Sequence, residues 1–342
     1  MRDIKVLDTT LRDGGYANHF QFGAESIRRI INGLEDSNID IIEIGFLKNV
    51  VFNNNMTLYD SMERIQDIVY KKKEHVQYVL MIRLGDFPEE KLRCCSNSII
   101  DGIRLAFHEH EIDASLDFAK SIIDSGYKLF LQPVSTFSYS NSSIKRLIDG
   151  ANRLSPYAFY IVDTLGCLSA DDVSCCFSVL DSSLQSQIKI GLHSHDNLGL
   201  SFRNACEFCR ISSNRDIIID SSILGMGRGA GNLDTKTIVQ FLNDYCGKKY
   251  NLGEFSNTLE RWVFPFQKEF TWGRNYIYEI SAQLKCHPNY ASYLVLHGTT
   301  DVFAIESILK ELEPNRRVLY DENYISEIYR RFVNDIVVGE QL

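Results

Sequence analysis

Short apolar, β-branched runs recur through the first 250 residues at Ile4–Leu7, Ile39–Ile44, Gln77–Ile82, Gly102–Ala106, Lys128–Gln132, Phe159–Val162, Lys189–Leu192 and Ile217–Ile223. Runs of this length bounded by turn-forming residues predict buried strands. Between them the apolar positions shift to helical spacing. Ser26–Asp36 aligns Ile27, Ile30, Ile31 and Leu34; Ala114–Ser125 aligns Leu116 and Ala119 with Ile122 or Ile123; Thr235–Tyr245 aligns Ile238, Val239 and Leu242. Eight strands alternating with eight helical segments predict an α/β fold, a (β/α)8 TIM barrel over residues 1–248, close to the usual size of about 250 residues. An open doubly wound sheet is the alternative.

The strand ends separate the two. Polar side chains collect just past nearly every run: Arg12-Asp13, Glu43, Arg83, Arg104 with His108, Gln132, Asp163-Thr164 and His193-Ser194-His195-Asp196. A closed barrel gathers them at one mouth, where such folds build their sites, whereas an open sheet spreads them along an edge. After Gly247 the alternation stops. Helical stretches at Asn275–Leu284, Val302–Leu312 and Asn323–Asn334, with an aromatic patch of Trp262, Phe264, Phe266, Phe270 and Trp272, predict a helical C-terminal domain over 249–342. It either packs on the barrel or builds a homo-oligomer interface.

Composition narrows the function. With 44% hydrophobic and 24% charged residues the chain is an ordinary globular one, and a net charge of −9 argues against nucleic acid or an anionic membrane as partner. No apolar run approaches the roughly 20 residues of a membrane span. The chain enters a strand within four residues, which leaves no room for a signal peptide, and nine cysteines then imply reduced thiols in a cytoplasmic protein. Cys206 and Cys209 read as one face of a helix, and the pairs Cys94-Cys95 and Cys175-Cys176 as small helical residues.

Two stretches carry candidate chemistry. Arg12-Asp13, followed by two glycines at the end of the first strand, is either a surface ion pair at a turn or a buried functional pair. His193 and His195 close the seventh strand, and residues two apart in a strand point the same way. Facing a mouth shared with Asp13, two imidazoles and a carboxylate leave open positions on a divalent metal, as a Lewis-acid catalyst requires. The glycine loop Gly225–Asn232 after the eighth strand either cradles a ligand or is a tight turn; its spacing is not a dinucleotide fingerprint.

Four motifs in order, Asp-Thr-Thr-Leu-Arg-Asp-Gly (8–14), Ile-Glu-Ile-Gly-Phe (42–46), His-Ser-His-Asp-Asn-Leu-Gly-Leu (193–200) and Gly-Met-Gly-Arg-Gly-Ala-Gly-Asn (225–232), resemble those of the DRE-TIM metallolyases, the HMGL-like family. The resemblance covers the barrel. It implies that Asp13, His193 and His195 bind Mn²⁺ or Mg²⁺, with Asn232 completing the shell. It also implies that Arg12 stabilises an enolate oxygen and that Glu43 orients Arg12. Arg104 and Asp163 are expected to contact substrate or support those that do. Gly225–Asn232 has no cysteine, unlike the hydroxymethylglutaryl-CoA lyases, and the long regulatory extension of isopropylmalate synthases is missing. The layout most resembles the 4-hydroxy-2-oxovalerate aldolases.

That resemblance implies cleavage of a 4-hydroxy-2-oxo acid to pyruvate and an aldehyde, and an aldehyde dehydrogenase partner. One position departs from it: Tyr16 stands where those aldolases carry a catalytic-base His. The proton relay then falls to Tyr16 or His19, and His287-Pro288-Asn289-Tyr290 in the tail either lends Tyr290 or His287 to the site, as the resemblance implies, or is only a helix start. Two alternatives stay open, a Claisen-type synthase joining an acyl-CoA to a 2-oxo acid and a non-catalytic barrel serving as a subunit.

Overall fold

In the computed structural model, which describes residues 2–69 and 72–339, the apolar runs form eight parallel strands: β1 (Ile4–Asp8), β2 (Ile41–Leu47), β3 (Gln77–Arg83), β4 (Gly102–Phe107), β5 (Lys128–Pro133), β6 (Ala158–Asp163), β7 (Lys189–Ser194) and β8 (Ile217–Ser221). Each pairs with the next, and β1 pairs with both β2 and β8, so the sheet closes on itself as a (β/α)8 barrel. Register is set at the seam by Leu7 opposite Ile41 and Ile4 opposite Ile217. A two-residue strand, Leu58–Tyr59, adds to the end of β2.

Six connections carry α-helices: α1 (Ala24–Asp36), α2 (Ile112–Asp124), α3 (Asn141–Leu154), α4 (Ala170–Ser183), α5 (Ser201–Arg210) and α6 (Thr235–Cys246). The expected eight helical segments are thus reduced by two. Among the described residues, the helical elements after β2 and β3 are 3-10 turns, Glu63–Asp67, Glu89–Lys91 and Cys95–Asn97. After β3, Pro88 and the Cys-Cys-Ser-Asn-Ser stretch supply few consecutive helix formers to nucleate a helix, whereas nothing in the composition of the connection after β2 explains its 3-10 turn. The Cys94-Cys95 pair is accordingly not helical, whereas Cys175 and Cys176 lie in α4 and buried Cys206 and Cys209 in α5.

Period-2 alternation divides the barrel interior into layers. Leu7, Ile41, Val79, Phe130, Tyr160 and Ile218 form an apolar cluster inside the strands. One step further along, two residues on, the same inward positions become Glu43 on β2 and Asp220 on β8, joined by Arg104 on β4, all buried. The larger cluster lies outside the strands, between sheet and helices.

Beyond α6, a helical turn (Leu252–Glu254) runs through a π-helical turn (Phe255–Leu259) into α7 (Glu260–Glu269). These elements still pack on the barrel: Val263, Trp262, Phe266 and Trp272 belong to its cluster, Phe266 meets Phe22, and Trp272 Nε1 donates to the Leu224 carbonyl at 3.0 Å. A second cluster starts at Ile280 and holds α8 (Tyr276–Gln283), α9 (Pro288–Leu296), α10 (Val302–Lys310) and α11 (Glu322–Gly339) together. The last three residues of the expected C-terminal domain lie outside the described residues.

Candidate active site

Residues after β1 turn tightly, because the amides of Arg12 and Asp13 both donate to the Thr9 carbonyl, at 3.0 and 2.8 Å. A 3-10 turn, Gly14–Tyr16, follows. Gly15 is required there, since a Cβ would sit 2.2 Å from the Phe20 ring. This turn aims Arg12 and Asp13 into the mouth, both buried. The surface ion pair is thereby excluded.

Asp13, His193 and His195 come together as three buried side chains whose ligand atoms lie within 4.8 Å of one another. His195 Nε2 is 3.4 Å and His193 Nε2 3.9 Å from Asp13 Oδ2. The opposite ring nitrogens are tied down. His193 Nδ1 donates to Asp220 at 3.0 Å and His195 Nδ1 to the Asp163 carbonyl at 2.9 Å. Both acceptors lack protons, so both rings carry theirs on Nδ1 and turn the Nε2 lone pairs toward Asp13. Burial, against the opposing pull of Asp220, pushes His193 down to about 4 and keeps it neutral at ordinary pH. Burial alone would raise Asp13, but the Arg12 cation holds it well below the usual carboxylate range.

Asn232 reaches the same oxygen from the glycine loop, its Nδ2 donating to Asp13 Oδ2 at 2.7 Å and to the Met226 carbonyl at 3.0 Å. Its Oδ1 is buried with no hydrogen-bond partner. Gly227 makes this approach possible, because a Cβ there would lie 2.3 Å from Asn232 Nδ2.

Arg12 is held by two carboxylates, Nε on Glu43 at 2.8 Å and Nη1 on Asp13 at 2.6 Å. Glu43 also takes Arg104 Nη1 at 2.6 Å, while Arg104 Nη2 pairs with Asp220 and its guanidinium lies 4.9 Å from the Tyr160 ring centroid. Arg104 is fully buried and is therefore no substrate contact. It is a strut joining the carboxylate that holds Arg12 to the carboxylate that holds His193. Asp220 escaped the sequence reading; its signal was a lone carboxylate two positions after an inward-facing isoleucine in an apolar strand.

Asp163 likewise stays out of the cavity. Its carboxylate accepts from the Cys167 and Leu168 amides at 2.9 and 3.1 Å, shaping the loop after β6, while its carbonyl orients His195. Tyr16 lines the cavity at 38% exposure, with the Arg228 guanidinium 4.0 Å over its ring. His19 does not reach the cavity: its backbone is left-handed (φ 55°) and its ring packs at the Phe270 edge, 6.4 Å between centroids. Tyr290 is also turned away, its hydroxyl donating to the Arg316 and Leu319 carbonyls at 2.7 and 2.8 Å. It anchors a segment of which Val318, Leu319 and Tyr320 line the cavity, together with His287. Of the two tail residues considered, His287 is the one at the site.

The cavity holds about 400 Å³ and opens from Asp13 and the two histidines toward the strand ends and the tail. Among the described residues no helix is long and apolar enough to cross a membrane.

Residues 102–259 match the HMGL-like family model. The 4-hydroxy-2-oxovalerate aldolase of Geobacillus thermodenitrificans is 28% identical over 250 residues, 71% of this chain and 70% of that one. The enzyme of the same name from Pseudoalteromonas translucida is 28% identical over 249 residues, with 71% and 70% covered. Among solved structures, the N-terminal domain of a Bacteroides vulgatus protein described as an aldolase superposes with a TM-score of 0.73 at 22% identity, covering 87% of this chain and 99% of that one. The HMG-CoA lyase of Brucella melitensis gives 0.62 at 16% identity, covering 78% and 100%, and supports the fold alone. Barrel, motif order and these matches together establish that the chain carries an HMGL-like domain of the DRE-TIM family and has the 4-hydroxy-2-oxovalerate aldolases among its relatives.

Proposed function

We propose that this chain is a divalent-metal-dependent aldolase that cleaves 4-hydroxy-2-oxo acids to pyruvate and an aldehyde. The observation that carries the reading is the buried Asp13, His193 and His195 set beside a fixed Arg12, facing a cavity of about 400 Å³. The donor set suits a hard or borderline divalent cation: one carboxylate, two neutral imidazoles presenting Nε2, and the unpartnered Asn232 Oδ1. Asp13, His193 and His195 would hold Mn²⁺ or Mg²⁺, with Asn232 as a further ligand. Bound there, the ion supplies Lewis-acid polarisation of the substrate's 2-oxo group.

Retro-aldol cleavage moves a proton from the C4 hydroxyl to a base, breaks the C3–C4 bond and leaves an enolate that takes a proton at C3. Arg12 spends Nε and part of Nη1 on Glu43 and Asp13, leaving Nη2 to donate to the enolate oxygen. Because two carboxylates already fix its plane, that donation needs no reorganisation as charge develops. Tyr16, on the cavity wall, is the group placed to take the hydroxyl proton in this reading, and His19 drops out. The nine free cysteines keep the reading cytoplasmic, and a dehydrogenase consuming the aldehyde remains its natural partner.

Chelator-treated protein should release no pyruvate from a 4-hydroxy-2-oxo acid, and Mn²⁺ or Mg²⁺ should restore it. Metal-loaded protein that binds oxalate, an enolate mimic, yet cleaves no such acid would sink the aldolase reading while sparing the site. Thiol release from an acyl-CoA with a 2-oxo acid would favour the synthase instead.

A further inference from the structure

Four cations line the cavity, Arg12, Lys48, Arg83 and Arg228, against two carboxylates, Asp13 and Asp86. The cavity wall thus carries two excess positive charges on a chain whose net charge is −9. Most of these charges are internally matched. Arg12 pairs with Asp13 and Glu43, Lys48 with Asp86 at 2.9 Å, and Arg83 with Glu111 at 3.3 Å. Among the described residues of the wall, Arg228 is the cation with no carboxylate within ion-pair distance.

Its position is nevertheless fixed, by neutral groups. Nη1 donates to His287 Nε2 at 3.0 Å, and the guanidinium carbon lies 4.0 Å from the Tyr16 ring centroid. Burial first, then the charge of Arg228 itself, holds His287 well below its ordinary value, so it stays an acceptor and adds no charge. A guanidinium that is oriented but not neutralised, with donors to spare, is built to receive a planar or tetrahedral oxyanion.

Arg12 lies 5.8 Å from the Phe46 ring, Phe46 lies 6.1 Å from Tyr16, and Arg228 is on Tyr16. The two guanidinia therefore rest on different rings, Phe46 and Tyr16. Resting on the aldolase reading, we infer that the substrate is doubly anionic: the 2-oxo acid end sits at Asp13, His193, His195 and Arg12, and a carboxylate or phosphate beyond C4 sits on Arg228. The aldehyde released is then an acidic one.

Three 4-hydroxy-2-oxo acids distinguish the cases, ending beyond C4 in an alkyl group, a carboxylate or a phosphate, tested on the metal-loaded wild type and on Arg228→Gln. In the wild type, kcat/KM for one acidic substrate should exceed that for the alkyl one by roughly 10- to 100-fold, the range of a charge-assisted hydrogen bond. Whichever arm gains identifies the anion. In Arg228→Gln that ratio should fall to near one. A wild type that prefers the alkyl substrate overturns the inference, and so does an equal loss on all three, which would assign Arg228 to supporting Tyr16 alone.

If no substrate is cleaved, the aldolase reading fails separately and the subsite is read by calorimetry. A 2-oxo dicarboxylate or a phosphorylated 2-oxo acid should bind the metal-loaded wild type at least about 10-fold tighter than pyruvate, and Arg228→Gln should abolish the difference. Equal affinities in the wild type would refute the subsite.

Discussion

The two walls of the cavity are built on different physical terms. The strand wall, Arg12, Asp13, Glu43, Arg104, His193 and Asp220, is buried, and every charge in it is matched by another. The wall made by the glycine loop and tail, Arg228, His287, Leu319 and Tyr320 with Tyr16, is looser, and its cation meets an aromatic face and a neutral imidazole. Buried ion networks tolerate little change, because removing one partner strands the other. Loop and tail positions tolerate more. In the proposed reading, metal and enolate chemistry belong to the buried wall, and substrate selection and the Tyr16 proton relay to the looser one.

The strongest test of that division lies at the ligands. Asp13→Asn and His195→Ala should each abolish Mn²⁺ retention, measured by elemental analysis, and lower pyruvate release by at least about 10³-fold. A variant that keeps both would remove the strand wall from the chemistry.

Next comes the strut. Arg104→Met leaves Glu43 and Asp220 buried without their common cation and should cost about 3–5 kcal/mol of stability, read from denaturant midpoints. Tyr290→Phe, on the tail side, loses hydrogen bonds to two carbonyls and should cost about 1–3 kcal/mol. If the order is reversed, the contrast between the walls is wrong.

Tyr16→Phe removes the proposed proton acceptor while keeping the ring under Arg228, and kcat should fall about 10²-fold or more with metal binding intact. His19→Ala, facing Phe270, should stay within about 2-fold, as a surface substitution does. An inactive His19→Ala with an active Tyr16→Phe would exchange their roles.

A last effect is a pH dependence beneath the strand wall. Burial pushes Asp8 up to about 6 despite hydrogen bonds from Thr10 and Thr235. The folded chain then holds this proton more tightly than the unfolded one. That contribution is complete below about pH 4 and lost as pH rises through 6, at most about 3 kcal/mol. Asp8→Asn should therefore gain thermal stability relative to wild type between pH 4.5 and 7.5. A constant difference across that range would mean that Asp8 titrates normally.

Local pattern sufficed for much of this molecule. Apolar runs at a regular interval predicted the eight strands, polar residues at their ends predicted the mouth, and two-residue spacing put His193 and His195 on one side, all consequences of backbone geometry that neighbouring residues impose on one another. The 3-10 turns described after β2 and β3, where helices were expected, show the limit of that pattern.

What separated Arg104 from the substrate, withdrew His19 and Tyr290, and brought in Asp220 and Arg228 was decided only in three dimensions. Barrel closure sets β4 across from β2 and β8, so that one guanidinium meets two carboxylates more than sixty residues away along the chain. Likewise, the tail's packing decides that His287, and not Tyr290, faces Arg228. Charge pairing inside a closed barrel depends on which side chains end up sharing a low-dielectric space, and no local period along a chain encodes that.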